Sequence, residues 1–332
     1  MAMEQRIFGT QGLKSRTGIS RAAVLRSALA GAAACALPGI AVAQTRTALH
    51  IATLPVDADA TAWFALDQGF FQQNGLDVTI DVITSGSAIA AGLLGGAIDI
   101  GVASIASLST AHAKGLPVLA LAPGGIYNGA LPTSVLAVGE GSPLRTAKDL
   151  SGKTIAITTL GELAAFSIMS WIDKNGGDSK SVKFIEIPTS SMADALVKSR
   201  VDAAFIAEPF FTQAKPAIRF FAPTYDGVSK RFLISAWLAN RDWIARNTAT
   251  AKRFDTAMRT AANWGNQSQN LAASGAILGK YTKIAPETIA KMQRAQFATQ
   301  LEPAMLQPVI DVSAQYGVIP KTFPASEVIA SI

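Results

Sequence analysis

Apolar and polar positions along residues 48–104 fall into blocks that fit strands and helices in turn. Residues 48–53, LHIATL, form a short apolar run closed off by Pro55, which reads as a buried strand. A helix is predicted over 60–74 and is stopped by Gly75. β-branched residues then mark a strand over 78–83, a Gly/Ser turn leads into a helix over 87–94, and a further apolar run makes a strand over 98–103. Strands alternating with helices predict an α/β fold with a mostly parallel sheet. In such a sheet small molecules settle outside the carboxyl ends of the strands, where helix N-termini offer unpaired N–H groups.

The same order returns after Gly139. Ser142 and Pro143 mark a turn, 147–150 a helical turn and 154–158 a strand; Thr159, Leu160, Gly161 and Glu162 open a helix reaching about residue 174, and 182–187 is the next strand. The repetition extends to Ala97-Ile-Asp-Ile-Gly101 against Arg200-Val-Asp-Ala-Ala204, each with an Asp ahead of an apolar strand that follows a helix. Asp99 and Asp202 therefore read as structural residues holding those turns. Two lobes are expected, 44–137 rejoined by 235–332 and 138–234, with a cleft between the ends of their sheets. Residues 232–240, FLISAWLAN, suit a return to the first lobe, and everything after Arg241 reads as helix, including 286–297 and 302–316. The two crossings, near 134–138 and 233–237, predict hinge closure.

Composition adds a location. Arg16, Arg21 and Arg26 precede an apolar run over 28–43 that ends in Ala41-Val42-Ala43, the layout of an export signal cleaved after Ala43. Pro38 interrupts the run, and a bilayer span wants about 20 apolar residues, so a permanent anchor is not expected. Ala22 stands where a twin-arginine signal has its second Arg, which favours the unfolded-export route; Ala32 ahead of Cys35 departs from a lipobox, so no lipid anchor is expected. The leader carries five of the Lys/Arg and one acid, so the net charge of +6 falls to about +2 without it, and no basic patch for nucleic acid remains. Cys35 is the single cysteine, and His50 and His112 are the two histidines. Disulfides, thiolate metal sites and His-based hydrolytic triads therefore have little material, and no cofactor, metal or catalytic residue is expected.

Five segments carry a family resemblance: 66–80 (LDQGFFQQNGLDVTI), 85–104 (SGSAIAAGLLGGAIDIGVAS), 142–157 (SPLRTAKDLSGKTIAI), 201–210 (VDAAFIAEPF) and 314–324 (AQYGVIPKTFP). In this order they resemble the periplasmic substrate-binding proteins of ABC importers, in the branch for nitrate, sulfonate, taurine and thiamine-pyrimidine precursors. The resemblance covers nearly the whole chain beyond the leader. It implies a two-lobed, type II-like, hinge-closing monomer that hands a small solute to a permease and ATPase complex at the inner membrane. By the same analogy the pocket comprises Asp57, Asp59 and Thr61; Ser85, Gly86 and Ser87; Ser104; Thr159, Gly161 and Glu162; and Glu208 with Pro209.

Each of these has a plainer reading. Ser85-Gly86-Ser87 and the 159–162 turn suit ordinary helix caps, since Ser, Thr and Gly are preferred there, but their pairing in duplicated units favours a ligand. Glu208 is expected at the carboxyl end of a buried strand, touching ligand or hinge. Tyr127 and Trp237 are candidate aromatic walls, as against simple core packing. Four acids and no Lys or Arg in this set, together with helix entrances that favour anions, suggest an amine-bearing acid or nitrogen heterocycle over a simple anion. Two other classes share this fold: an enzyme of pyrimidine-synthase or dehydratase type, and a sensory ligand-binding protein. The first needs a Cys-rich segment and a reactive His/Lys site, and the second a separate signalling partner.

Overall fold

A computed structural model describes residues 46–83 and 86–332. The expected leader with its cleavage point after Ala43, and Ser85, lie outside the described residues, as does the side chain of Ser87.

The first sheet begins with β1 (Thr47–Thr53), paired in parallel along its whole length with β2 (Leu76–Val82). β3 (Ile100–Ser104) lies parallel on the other flank of β1. The chain continues through β4 (Val118–Pro123) and β5 (Gly125–Asn128) to β6 (Ser134–Gly139). Next come β7 (Thr154–Ile157), β8 (Lys183–Glu186), β9 (Ala203–Ala207) and β10 (Ile218–Ala222). It returns by β11 (Arg231–Leu233) and β12 (Ser235–Asn240), and a last short strand, β13, is Gln296–Phe297.

Two five-stranded sheets result, in the orders β2-β1-β3-β12-β4 and β8-β7-β9-β6-β10. The orders match strand for strand: in each, three parallel strands are followed by one antiparallel strand that has just arrived from the other sheet. β6 is paired into the second sheet from Ser134 onward, so the passage out of the first sheet lies ahead of Ser134, earlier than the expected 137/138 division. The two passages run side by side: β5 and β11 pair antiparallel, Tyr127 opposite Phe232, with β13 on the other edge of β5.

The duplication reaches single hydrogen bonds. Asp99 Oδ2 accepts from His50 N at 2.9 Å while Asp99 N donates to His50 O at 2.9 Å. In the second sheet Asp202 Oδ2 accepts from Thr154 N at 2.8 Å and Asp202 N donates to Thr154 O at 2.9 Å. Each Asp thereby docks the last strand of its βαβ unit onto the first, the structural role its position suggested.

Local departures from expectation have tertiary causes. The helix expected over 60–74 is two, Thr61–Asp67 and Phe70–Gln73, because Gly69 takes φ 72°, a left-handed conformation that interrupts helical bonding. Both pieces still bury one face, through Trp63, Phe64 and Phe71. Of the helix expected over 286–297 only Pro286–Ile289 forms; Phe297 instead exchanges backbone bonds with the Asn266 side chain at 2.9 and 2.8 Å and packs edge-on against Phe64. Trp237, one of the two candidate aromatic walls, is fully buried in β12, with Phe254 of the helix Thr248–Gly265 edge-on to it at 5.9 Å and its indole N–H without a hydrogen-bond partner among the described residues.

Candidate functional site

Because β1, β2 and β3 run parallel, their carboxyl ends share one edge of the first sheet; β7, β8 and β9 do the same in the second. Among the segments leaving those edges are 54–61, 104–107, 158–162 and 208–210. The two edges meet. Ser104, the last residue of β3, caps the helix Ile105–Ala113, its Oγ accepting from Ser107 N at 2.9 Å. Glu162, at the head of the helix Leu163–Lys174 behind β7, reaches across with both carboxylate oxygens: Ser104 Oγ donates to Oε2 at 3.0 Å and Ser107 Oγ to Oε1 at 2.8 Å. Ahead of Glu162, Thr158, Thr159, Leu160 and Gly161 are solvent-exposed, with Gly161 at φ 73°.

Of the residues expected in the pocket, Ser104 and Glu162 are brought into direct contact. Thr61 is buried at the first turn of its helix, and its hydroxyl has no hydrogen-bond partner among the described residues. Such an atom costs about 1–3 kcal/mol unless something satisfies it. Asp59 is buried beside it in the chain, and Ser235 Oγ donates to its Oδ1 at 2.8 Å. Burial pushes the Asp59 carboxyl up from 3.8 to about 7, and the Ser235 bond offsets this in part.

Asp57 has different company. Arg294 Nε and Nη2 each donate to it at 2.9 Å and Ala295 N at 2.7 Å, so its carboxylate anchors the C-terminal segment to the β1 loop. Tyr127 is buried under Tyr225 and Phe232 and donates to Asp226 Oδ1 at 2.9 Å. Burial, with that bond to Asp226, holds its phenol well above the ordinary tyrosine range. Tyr225 is raised as well, chiefly by burial and further by the Glu162 charge. Glu208 is buried at the end of β9, its carboxylate accepting from Thr212 N at 3.1 Å and Thr212 Oγ1 at 2.9 Å.

A groove of about 620 Å³ opens elsewhere, along β6 and β10, walled by Leu131, Phe211, Phe220, Lys215, Arg219 and Lys291 among others. Glu208 borders it, while Asp59, Thr61, Ser104 and Glu162 do not. Among the described residues no three His, Cys, Asp or Glu side chains gather as a metal site.

Ser107, Ser235, Tyr225 and Arg294 were not anticipated. Ser107 had a visible signal, standing three residues after Ser104 at the spacing of an N-cap pair. The other three are brought in by segments far along the chain.

The duplicated sheets, their paired crossings and the apposed carboxyl edges define the class: this is the fold of the periplasmic binding proteins. Residues 60–270 match the NMT1/THI5-like family, and the chain belongs to it. The periplasmic aliphatic sulphonate binding protein SsuA from Escherichia coli is similar in structure, with a TM-score of 0.70 at 19% identity over 86% of this chain and 92% of that one. The periplasmic nitrate-binding protein NrtA from Synechocystis PCC 6803 gives 0.68 at 17% identity, over 85% of each chain. A Candida albicans gene product with the generic periplasmic binding protein fold gives 0.65 at 14% identity, over 85% of this chain and 96% of that one. No curated relative matches the chain in sequence.

Proposed function

We propose that this chain is the exported solute-binding component of an ABC importer, working as a monomer in the periplasm once its leader is removed after Ala43. It captures a small polar solute between two lobes and delivers it to a permease and ATPase complex, without catalysis. The lobes are the two sheets with their helices, 46–133 with 235–332 and 134–234, the boundary set where β6 enters the second sheet. β5 and β11, paired as Tyr127 to Phe232, form the hinge. The observation that carries the reading is the meeting of the carboxyl edges at Glu162, Ser104 and Ser107, since open α/β sheets bind their ligands there.

The solute is an amine-bearing acid or a nitrogen heterocycle in preference to a simple anion. Supporting this, segments 57–61, 104–107, 158–162 and 208–210 contain Asp57, Asp59, Glu162 and Glu208 but no Lys or Arg. Arg294, which approaches from the C-terminal segment, is held by Asp57. The unpartnered Thr61 hydroxyl and the adjoining Asp59 are the polar groups with most to gain from a solute, joined at the edges by Thr159, Gly161 and Glu208; Ser85, Gly86 and Ser87 are assigned to the same pocket on the family resemblance. The sulphonate and nitrate bound by the two similar proteins are simple anions, so this chain departs from them in cargo.

Thermal unfolding in the presence of a metabolite set tests the reading, because a ligand at a hundredfold excess over its Kd adds about 2.7 kcal/mol to stability. Amino-sulfonates, amino acids or pyrimidines are expected to raise the melting temperature. Stabilisation by nitrate or methanesulfonate alone would overturn the charge preference, and scattering that shows no compaction with a stabilising solute would overturn hinge closure.

A further inference from the structure

Glu162 and the head of the Ile105–Ala113 helix come from different sheets, 58 and 55 residues apart in sequence from Ser104 and Ser107. At this helix head Ile105 N donates to Ile234 O and Ser107 N to Ser104 Oγ, so what remains to draw an anion is the positive end of the helix dipole and the two serine hydroxyls. Here the anion is supplied by the chain itself. Its carboxylate takes one hydroxyl from Ser104 and one from Ser107, while Ser104 Oγ goes on accepting from Ser107 N, so the capping interaction and the cross-sheet contact share one oxygen. The two oxygens of Glu162 are thus both engaged across the boundary between the sheets.

We propose that Glu162 is a built-in occupant of this seat: it clasps the two sheets together with no solute present and denies the seat to simple anions. A solute then enters by offering Glu162 a cationic or N–H group in place of the two serine hydroxyls. The selectivity half rests on the solute-binding reading above, whereas the clasp does not. A second tie lies near the far end of the helix Leu163–Lys174 that Glu162 heads, where Tyr316 Oη donates to Asp173 Oδ2 at 2.7 Å, and it must be told apart from the clasp.

β2 and β8 are the matching edge strands of their sheets, so spin labels at Thr79→Cys and Lys183→Cys, both exposed, report the separation of the sheets. The measurement uses the full chain with Cys35→Ser and no added solute. Glu162→Ala is expected to shift the distance distribution to longer and broader values. Ser107→Ala removes one hydroxyl but keeps the Ser104 cap, and is expected to shift it in the same direction. Tyr316→Phe is expected to leave it unchanged. A Glu162→Ala distribution coincident with its parent's, or opening by Tyr316→Phe alone, would overturn the clasp whatever the solute. For selectivity, sodium sulfate is expected to raise the melting temperature of Glu162→Ala by more than it raises the parent's, since the general stabilisation by sulfate is common to both, each measured against sodium chloride at equal ionic strength. An equal response of both proteins would overturn that half.

Discussion

The Ser235 hydroxyl donates to Asp59 Oδ1 at 2.8 Å across 176 residues, tying the first residue of β12 to the loop that leaves β1. The same Ser235 oxygen accepts from Gly125 N at 3.2 Å, and Thr53 Oγ1 donates to the Asp59 carbonyl at 3.2 Å. Three segments are therefore pinned together where the chain leaves the first sheet and where it comes back. Gly125 permits the approach, since a Cβ there would lie 2.7 Å from the Ala58 carbonyl oxygen.

Asp59 makes stability depend on pH. Its folded-state pKa, raised by burial from 3.8 to about 7, means that the folded protein holds a proton which the unfolded chain releases between those values. Stability from this group is fully present below about pH 4 and falls as pH rises toward 7, with a slope of up to about 1.4 kcal/mol per pH unit. Asp59→Asn keeps an acceptor for Ser235 and cannot ionise. Denaturant titrations across this range are expected to show a flatter pH profile for the variant and equal or greater stability at pH 7.5; an unchanged slope would remove Asp59 as the cause.

The buried ion pair between Asp57 and Arg294 is expected to be costly to break from one side only. The two side chains are 5% and 11% exposed, and removing the guanidinium leaves a buried carboxylate with Ala295 N as its remaining partner. Arg294→Met is expected to lose about 3–5 kcal/mol, measured by urea unfolding. A loss under 1 kcal/mol would show that the carboxylate finds water or another donor.

Gly96 and Ser199 are counterparts in the two halves. Each sits three residues before the docking Asp, at φ 73° and 52°, in a helix-ending turn whose next residue bonds back five positions: Ala97 N to Gly92 O and Arg200 N to Ala195 O. Glycine adopts this conformation freely, whereas serine carries the steric cost of its Cβ. Ser199→Gly is expected to stabilise the protein by about 0.5–1 kcal/mol, and Gly96→Ser to destabilise it by a similar amount. Chemical denaturation of both variants checks the pair, and opposite signs are the required result.

Much of the architecture was legible because it is built from local pattern. The β-branched runs, the stops at Gly75 and Gly139 and the repeated Asp99 and Asp202 mark two similar βαβ units, and these form with the order expected. The break at Gly69 was less legible, since helical spacing of apolar residues continues through it and only the φ of one glycine splits the element. The strand at Gln296–Phe297 had no local signal, because its partners are Asn266 and the distant β5.

The candidate site divides in the same way. By itself the sequence determined which residues stand at strand ends and helix heads, since those positions follow from periodicity and from caps such as Ser104. Their partners were decided only by tertiary structure: Asp57 meets Arg294, Asp59 meets Ser235, Trp237 is buried against Phe254, and Glu162 reaches Ser104 and Ser107. The physical reason is range. Periodicity and capping act over three or four neighbouring residues, whereas the charge and burial of a carboxylate depend on whichever groups folding brings within about 3 Å, and for Asp57, Asp59 and Glu162 those lie 55 to 238 residues away.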